Sequence, residues 1–159
     1  MPAVVVDIAD LAVSSNPDDV LITYSLGSCI AVAIWDPDTA VAGLLHFMLP
    51  ESQLAPNRAD LNPAMFCDTG VPKIFRCAYE LGASKERLCV KIAGGAQLLG
   101  DNGIFNIGKR NYLALRRVFW KSGVLISATD VGGSVSRSVK INVGSGVVTV
   151  KTRTQESVL

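Results

Sequence analysis

The sequence predicts an α+β fold, a layered sandwich of mostly antiparallel strands with two main helices. Three observations predict it. Apolar residues come in short β-branched runs, such as Ala3 to Val6, Ile30 to Trp35 and Val147 to Val150. Helix signals are confined to two segments in the middle of the chain. The 159 residues, 49% hydrophobic and only 18% charged, suit one domain with one core. Mean hydropathy of +0.35 excludes intrinsic disorder. No apolar stretch approaches the roughly 20 residues of a membrane-spanning helix, so no membrane insertion is expected. Met1-Pro2-Ala3-Val4 lacks a basic n-region and is followed by Asp7 and Asp10, which predicts a cytoplasmic protein.

In chain order, residues 3–8 and 20–24 read as strands, separated by the turn-rich Ser14-Ser15-Asn16-Pro17-Asp18-Asp19. From Cys29 to Met48 two apolar runs flank Asp36-Pro37-Asp38-Thr39, with the proline placed for a type I turn. This is a β-hairpin whose strands are apolar on both faces and hence central. Residues 50–63, with three prolines, read as a surface loop or flap. Pro72 to Leu81 reads as a helix, with Pro72 in its first turn and Gly82 as its stop. Leu88 to Ala93 is a strand entering Gly94-Gly95. Gly108 to Lys121 is a second helix, with Ala114/Val118 and Leu115/Phe119 stacked four apart and Gly123 ending it. Strands over 124–129, 138–143 and 147–152 follow, the last two joined at Gly144-Ser145-Gly146.

Net charge is +1, which argues against a nucleic-acid partner. Residues 1–100 hold six Lys/Arg against eleven Asp/Glu, whereas residues 101–159 hold nine against three. The second half could face an acidic protein; Arg116, Arg117 and Lys121 read most simply as a solvated helix face. Cys29, Cys67, Cys77 and Cys89 contain no C-x-x-C pair, and His46 is the single histidine. Neither a zinc site nor a disulfide framework is expected, and no metal or cofactor. Gly94-Gly95 and Gly132-Gly133 match no phosphate-binding fingerprint and read as tight turns.

Hairpin geometry decides whether Cys29 and His46 can meet. With a two-residue loop Cys29 lies directly opposite His46, at a Cβ separation of roughly 4.5–5.5 Å. With a four-residue loop, Pro37 to Ala40, His46 is the diagonal neighbour on the same face. A three-residue loop puts them on opposite faces. A thiol beside an imidazole is the arrangement of nucleophilic catalysis, in which the imidazole takes the thiol proton or stabilises the thiolate. Gly27-Ser28 would let the backbone curve and free the Cys29 amide for an oxyanion, with the Ser28 hydroxyl as a further donor. Thr23, Tyr24 or Ser25 could orient the imidazole. Cys67, Cys77 and Cys89 read as core thiols.

Leu26-Gly27-Ser28-Cys29, the Asp36-Pro37 turn and Leu45-His46-Phe47-Met48-Leu49-Pro50 resemble the CheD chemoreceptor glutamine deamidases. The likeness continues through Gly94-Gly95-Ala96, Ile107-Gly108-Lys109-Arg110-Asn111 and Asp130-Val131-Gly132-Gly133 with Arg137. Tyr24-Ser25 and Ser136 depart from that pattern. The resemblance implies an α/β/β sandwich spanning residues 1–159 as one deamidase domain. It implies Cys29 as nucleophile, His46 as base and Thr23 as the imidazole's support. It also implies hydrolysis of glutamine side chains on cytoplasmic helices of chemoreceptors in chemotaxis signal transduction, with receptor methylesterase activity as a secondary outcome. The alternative it carries is a regulatory partner of a CheC-type response-regulator phosphatase.

Overall fold

Two five-stranded sheets stack face to face, and two helices cover the outer side of one of them. This arrangement is seen in a computed structural model, which describes residues 3–98 and 106–159. Met1 and Pro2 of the N-terminal reading lie outside the described residues. The helix-covered sheet has the order β2 (Asp10–Ser14), β5 (Val41–Phe47), β4 (Ile30–Asp36), β6 (Cys89–Gly94), β7 (Ala128–Val131). The other has the order β1 (Ala3–Val5), β3 (Val20–Leu26), β8 (Arg137–Asn142), β9 (Val148–Lys151), β10 (Glu156–Val158). Only β1 with β3 and β6 with β7 pair in parallel; the remaining named ladders are antiparallel. The helices are α1 (Pro56–Leu61), α2 (Cys67–Glu80) and α3 (Ile107–Ser122). The fold is thus the predicted α+β sandwich, with layers α/β/β. No helix among the described residues is long and apolar enough to cross a membrane.

Strand alternation divides the core in two. Ile30, Val32 and Ile34 of β4 and Leu45 and Phe47 of β5 meet Ile74 and Phe75 of α2 and Leu115 and Phe119 of α3. The intervening residues Ala31, Ala33, Ala42 and Leu44 face the second sheet and pack on Leu21, Val139, Ile141 and Val150. Of the fourteen β4 and β5 residues only Trp35 escapes full burial, because the hairpin is covered on both sides. Its connection is the four-residue loop, with Asp36 paired to Val41 and Ala31 to His46. Asp36 is buried at the turn, where its carboxylate accepts from the Asp38 and Ser84 amides and pairs with Arg87 at 2.9 Å. Burial alone would push that carboxyl up, but these partners outweigh it and hold it down at about 2.

Several elements differ from their sequence reading. The strand over 3–8 stops at Val5, and β2 follows where no strand was expected. Ala9, at φ 59°, turns the chain between them, a left-handed conformation that nothing about alanine announces. The expected loop over 50–63 contains a 3-10 turn at Ser52–Leu54, helix α1 and the start of a second 3-10 turn, Pro63–Met65. Helix α2 begins five residues before Pro72, which therefore sits inside the helix rather than in its first turn. Its early start is tertiary in origin: the Cys67 amide donates to Leu49 O at 2.9 Å, just beyond β5. The strand over 124–129 begins only at Ala128, and β10 was not anticipated. Cys67 is buried as a core thiol, but Cys77 is half-buried and Cys89 is exposed at the first position of β6.

Candidate active site

His46 and Thr23 come from different sheets and meet across the interior. His46 points from β5 into the space between the sheets, and Thr23 points back from β3. Both are completely buried. Alanines at 31, 33, 42 and 93 line that space, and their small side chains allow the sheets to approach closely. Thr23 Oγ1 lies 2.7 Å from His46 Nδ1 and 2.6 Å from Val6 O.

That pair of contacts fixes the imidazole's protons. A hydroxyl has one proton, and a carbonyl oxygen can only accept. The Thr23 proton is therefore given to Val6 O, so the Thr23 oxygen accepts from Nδ1–H of His46. Nδ1 is the protonated nitrogen, and Nε2 carries the free lone pair. Nε2 is buried and has no hydrogen-bond partner among the described residues. Burial holds the imidazole down at about 4, so it is neutral at pH 7. Its Nε2 is an open proton acceptor, aimed by a fixed tautomer.

Cys29 lies one residue before β4 and is half-buried. Since Ala31 pairs with His46, Cys29 is diagonal to the imidazole on the same face, and it packs against the inter-sheet cluster. Burial pushes its thiol up, partly offset by a hydrogen bond from its own backbone. At neutral pH the resting pair is thus thiol and imidazole rather than thiolate and imidazolium. Neither the Ser28 nor the Cys29 amide donates to a carbonyl among the described residues. A backbone amide with no carbonyl partner beside Sγ is free to donate to an oxygen brought against that sulfur.

The loop carrying Cys29 is held from three directions. Gly95 N donates to Cys29 O and Ala96 N to Gly27 O, each at 2.8 Å. Gly94 has φ 113°, and a Cβ there would lie 2.3 Å from Cys29 O, so only glycine fits. Gly27 is buried under Leu98. The third restraint was missed in the sequence. Asn111 of α3 is completely buried, and its Nδ2 donates to Ser28 O and to Met48 O, both at 2.9 Å. One amide group therefore ties the residue before Cys29 to the strand exit two residues after His46. The available signal was its spacing: Gly108, Asn111, Leu115 and Phe119 form one helix face, and a polar residue in that stripe needs buried partners.

Tyr24 and Ser25, the other candidates for orienting the imidazole, lie on the opposite, exposed side of β3. Ser25 adopts φ 61° within a bulge between Thr23 and Leu26. Both line a groove on the outer face of that sheet, together with Ser136 and Arg137. Arg137 is almost fully buried and pairs with Asp130 at 3.3 Å, bracing the Gly132-Gly133 turn. Cys67 is pushed up strongly by burial and then by Asp68, which leaves it inert. Among the described residues, no three His, Cys, Asp or Glu side chains could hold a metal ion.

Comparison with known proteins identifies the family. A family model described as "CheD chemotactic sensory transduction" matches residues 48–152. A "Probable chemoreceptor glutamine deamidase CheD 1" of Syntrophus aciditrophicus is 49% identical over 151 residues, covering 95% of this chain and 94% of that protein. A "Probable chemoreceptor glutamine deamidase CheD" of Solibacter usitatus is 47% identical, covering 92% and 86% respectively. A "Probable chemoreceptor glutamine deamidase CheD 2" of Anaeromyxobacter dehalogenans is also 47% identical, covering 98% of both.

Proposed function

The chain belongs to the CheD family, and from that premise we propose that it is a chemoreceptor glutamine deamidase acting in chemotaxis, with Cys29 as nucleophile, His46 as base and Thr23 as the group that sets the imidazole. The observation that carries this reading is the Thr23–His46 hydrogen bond at 2.7 Å, which leaves Nε2 unprotonated on the face that Cys29 shares. The substrate is a glutamine side chain on a cytoplasmic receptor helix.

The reaction proceeds through two half-reactions. As Sγ bonds to the carboxamide carbon, the thiol proton passes to Nε2 and the carbonyl π electrons move to oxygen. The oxyanion is met by the Cys29 amide, with the Ser28 hydroxyl as a second donor. Such donors contribute around 3–4 kcal/mol each. The imidazolium then gives its Nε2 proton to the departing nitrogen, ammonia leaves, and a glutamyl thioester remains. Water attacks the thioester as Nε2 takes one of its protons. Collapse expels the sulfur, which recovers that proton, and glutamate is released. A glutamyl methyl ester would form the same thioester with methanol leaving, so the reading extends to receptor methylesterase activity as a side reaction.

The test is mass spectrometry of a receptor cytoplasmic fragment incubated with the wild-type protein and with Cys29→Ala. Wild type converts glutamine to glutamate and Cys29→Ala does not; equal conversion by both would remove the enzyme assignment. Regulation of a CheC-type phosphatase need not use the thiol, so it would survive in Cys29→Ala.

A further inference from the structure

Among the described residues, the α/β/β layering leaves one large sheet face uncovered. Helices α2 and α3 cover the outer face of one sheet, but among the described residues no helix lies on the outer face of the β1-β3-β8-β9-β10 sheet. Register identifies what this face presents. One row across the strands reads Val5, Ile22, Lys140, Thr149 and Val158. The adjacent row contains Ser138, Lys151 and Glu156, with Tyr24 at its β3 end. Val5 and Tyr24 are each 50% exposed and Val158 is 72% exposed.

The face is therefore part apolar and part cationic. Lys140 and Lys151 are diagonal neighbours on β8 and β9, and Arg153 follows just beyond β9. All three line the groove of about 560 Å³ that begins at Tyr24, Ser25 and Arg137. None of the three forms a salt bridge among the described residues, and Glu156 is the single carboxylate lining that groove. Cations gathered beside apolar side chains, outnumbering the one carboxylate of Glu156, match one kind of partner: a helix with an apolar stripe flanked by Asp and Glu. The groove approaches the chemistry at its Arg137 end: Arg137 Nη1 donates to Gly94 O at 3.5 Å, and Gly94 stands directly against Cys29 O, while Cys29 and His46 themselves face the space between the sheets and do not line the groove.

We propose that the open face of this sheet is the docking platform for an acidic amphipathic helix of the receptor, seated as a fourth layer so that its target glutamine enters at the Tyr24–Ser25 end beside Cys29. This inference rests on the receptor-deamidase reading of the site and adds how the substrate is held. Lys140, Lys151 and Arg153 attract the carboxylates that flank the glutamine, and Tyr24, Ile22 and Val158 meet the apolar stripe. Association through these charges is sensitive to salt, since exposed pairs are screened over about 8–10 Å at 0.1–0.15 M ionic strength.

The experiment uses the full chain with Lys140→Glu/Lys151→Glu/Arg153→Glu and, because Lys140 is half-buried, a second variant with only Lys151→Glu/Arg153→Glu. Deamidation of a receptor cytoplasmic fragment is followed by mass spectrometry across substrate concentration and salt. The expected result is a rise in KM of about tenfold with kcat within twofold, loss of the salt dependence seen in wild type, and an unchanged melting temperature for the double variant. A fragment whose acidic residues around the glutamine are changed to Lys should regain activity with the reversed enzyme. An unchanged KM in a folded variant would overturn the proposal, as would binding to anionic phosphatidylserine vesicles with none to the receptor fragment. Binding of the fragment to Cys29→Ala, read by fluorescence anisotropy with and without the charge reversals, tests the platform separately. If wild type binds the fragment through these charges yet never deamidates it, the deamidase reading fails and the docking face stands.

Discussion

Replacing Thr23 by valine removes one hydroxyl with almost no change in shape, and that hydroxyl serves two buried groups. Without it, Val6 O loses its donor and His46 Nδ1 loses its acceptor. Each unpaired buried group costs about 1–3 kcal/mol, so Thr23→Val should lose about 2–6 kcal/mol of stability. The catalytic consequence is distinct from the structural one. Once Nδ1–H has no acceptor, nothing favours that tautomer, and the proton can reside on Nε2, where it blocks uptake of the thiol proton. General-base participation is worth about 10²–10⁴-fold. We expect kcat for receptor deamidation to fall about 100-fold, equivalent to about 2.7 kcal/mol of barrier. Thr23→Ser keeps the oxygen and the proton and should retain activity within about tenfold of wild type. The assay is glutamine conversion by mass spectrometry at a temperature where circular dichroism shows each variant folded. Folded Thr23→Val turning over at the wild-type rate would refute the assignment of the Nε2 lone pair to Thr23.

The remaining predictions concern the pH limits of the site and its supports. The acid limb of kcat/KM should fall near pH 4 rather than 6.5, because burial holds His46 at about 4; a limb at 6.5 would show the imidazole solvated in the free enzyme. The same shift makes stability fall with pH: below about 6.5 the unfolded chain takes a proton that the folded imidazole refuses until about 4, which removes about 3 kcal/mol across that window. Chemical denaturation of wild type and His46→Asn at pH 7 and pH 4.5 checks this, since the variant should lack that part of the loss. Asn111→Leu leaves the Ser28 and Met48 carbonyls unpaired and should lower kcat about tenfold with KM held within twofold, together with a lower melting temperature; full kcat in a destabilised variant would make Asn111 structural only. Gly94→Ala forces a Cβ to 2.3 Å from Cys29 O at φ 113° and should slow iodoacetamide labelling of Cys29 or unfold the chain. Asp36→Asn, about 20 Å along β4 from the nucleophile, should lower the melting temperature without changing kcat.

How much of this was legible in the sequence depended on the range of the physics involved. The β4–β5 hairpin was legible because a turn of Asp and Pro between two apolar runs is a local signal, and alternation then put Cys29 and His46 on one face for an even loop. Helix α3 was legible from its stripe and its closing Gly123. The start of α2 was not, because its first amides are satisfied by Leu49, a residue of a different element. Strand β2 was hidden because its pairing is with β5 alone and the turn before it uses an alanine at positive φ. Thr23 was one of three adjacent candidates from residue chemistry alone. Alternation along β3 separates Tyr24 from Thr23, and the bulge at Ser25 (φ 61°) turns that residue outward as well: Thr23 faces His46, while Tyr24 and Ser25 face the groove.

The neutral resting pair has a consequence for selectivity. An exposed thiolate–imidazolium pair would be reactive toward any electrophile that reached it. Here burial raises the Cys29 thiol and lowers the His46 imidazole, so both groups disfavour proton transfer in the free protein. The thiolate need form only as sulfur meets a carbonyl whose developing charge the Cys29 amide can take up. In the proposed mechanism substrate binding does part of the activation, because a helix docked as proposed would displace water from around Cys29 and align the carbonyl with that amide. Iodoacetamide, which develops no oxyanion, should therefore label Cys29 slowly at pH 7 and much faster as pH rises toward the elevated thiol pKa. Rapid labelling at pH 7 with no further rise would show that the ion pair exists before substrate arrives, and the general-base role of His46 in the first step would fall.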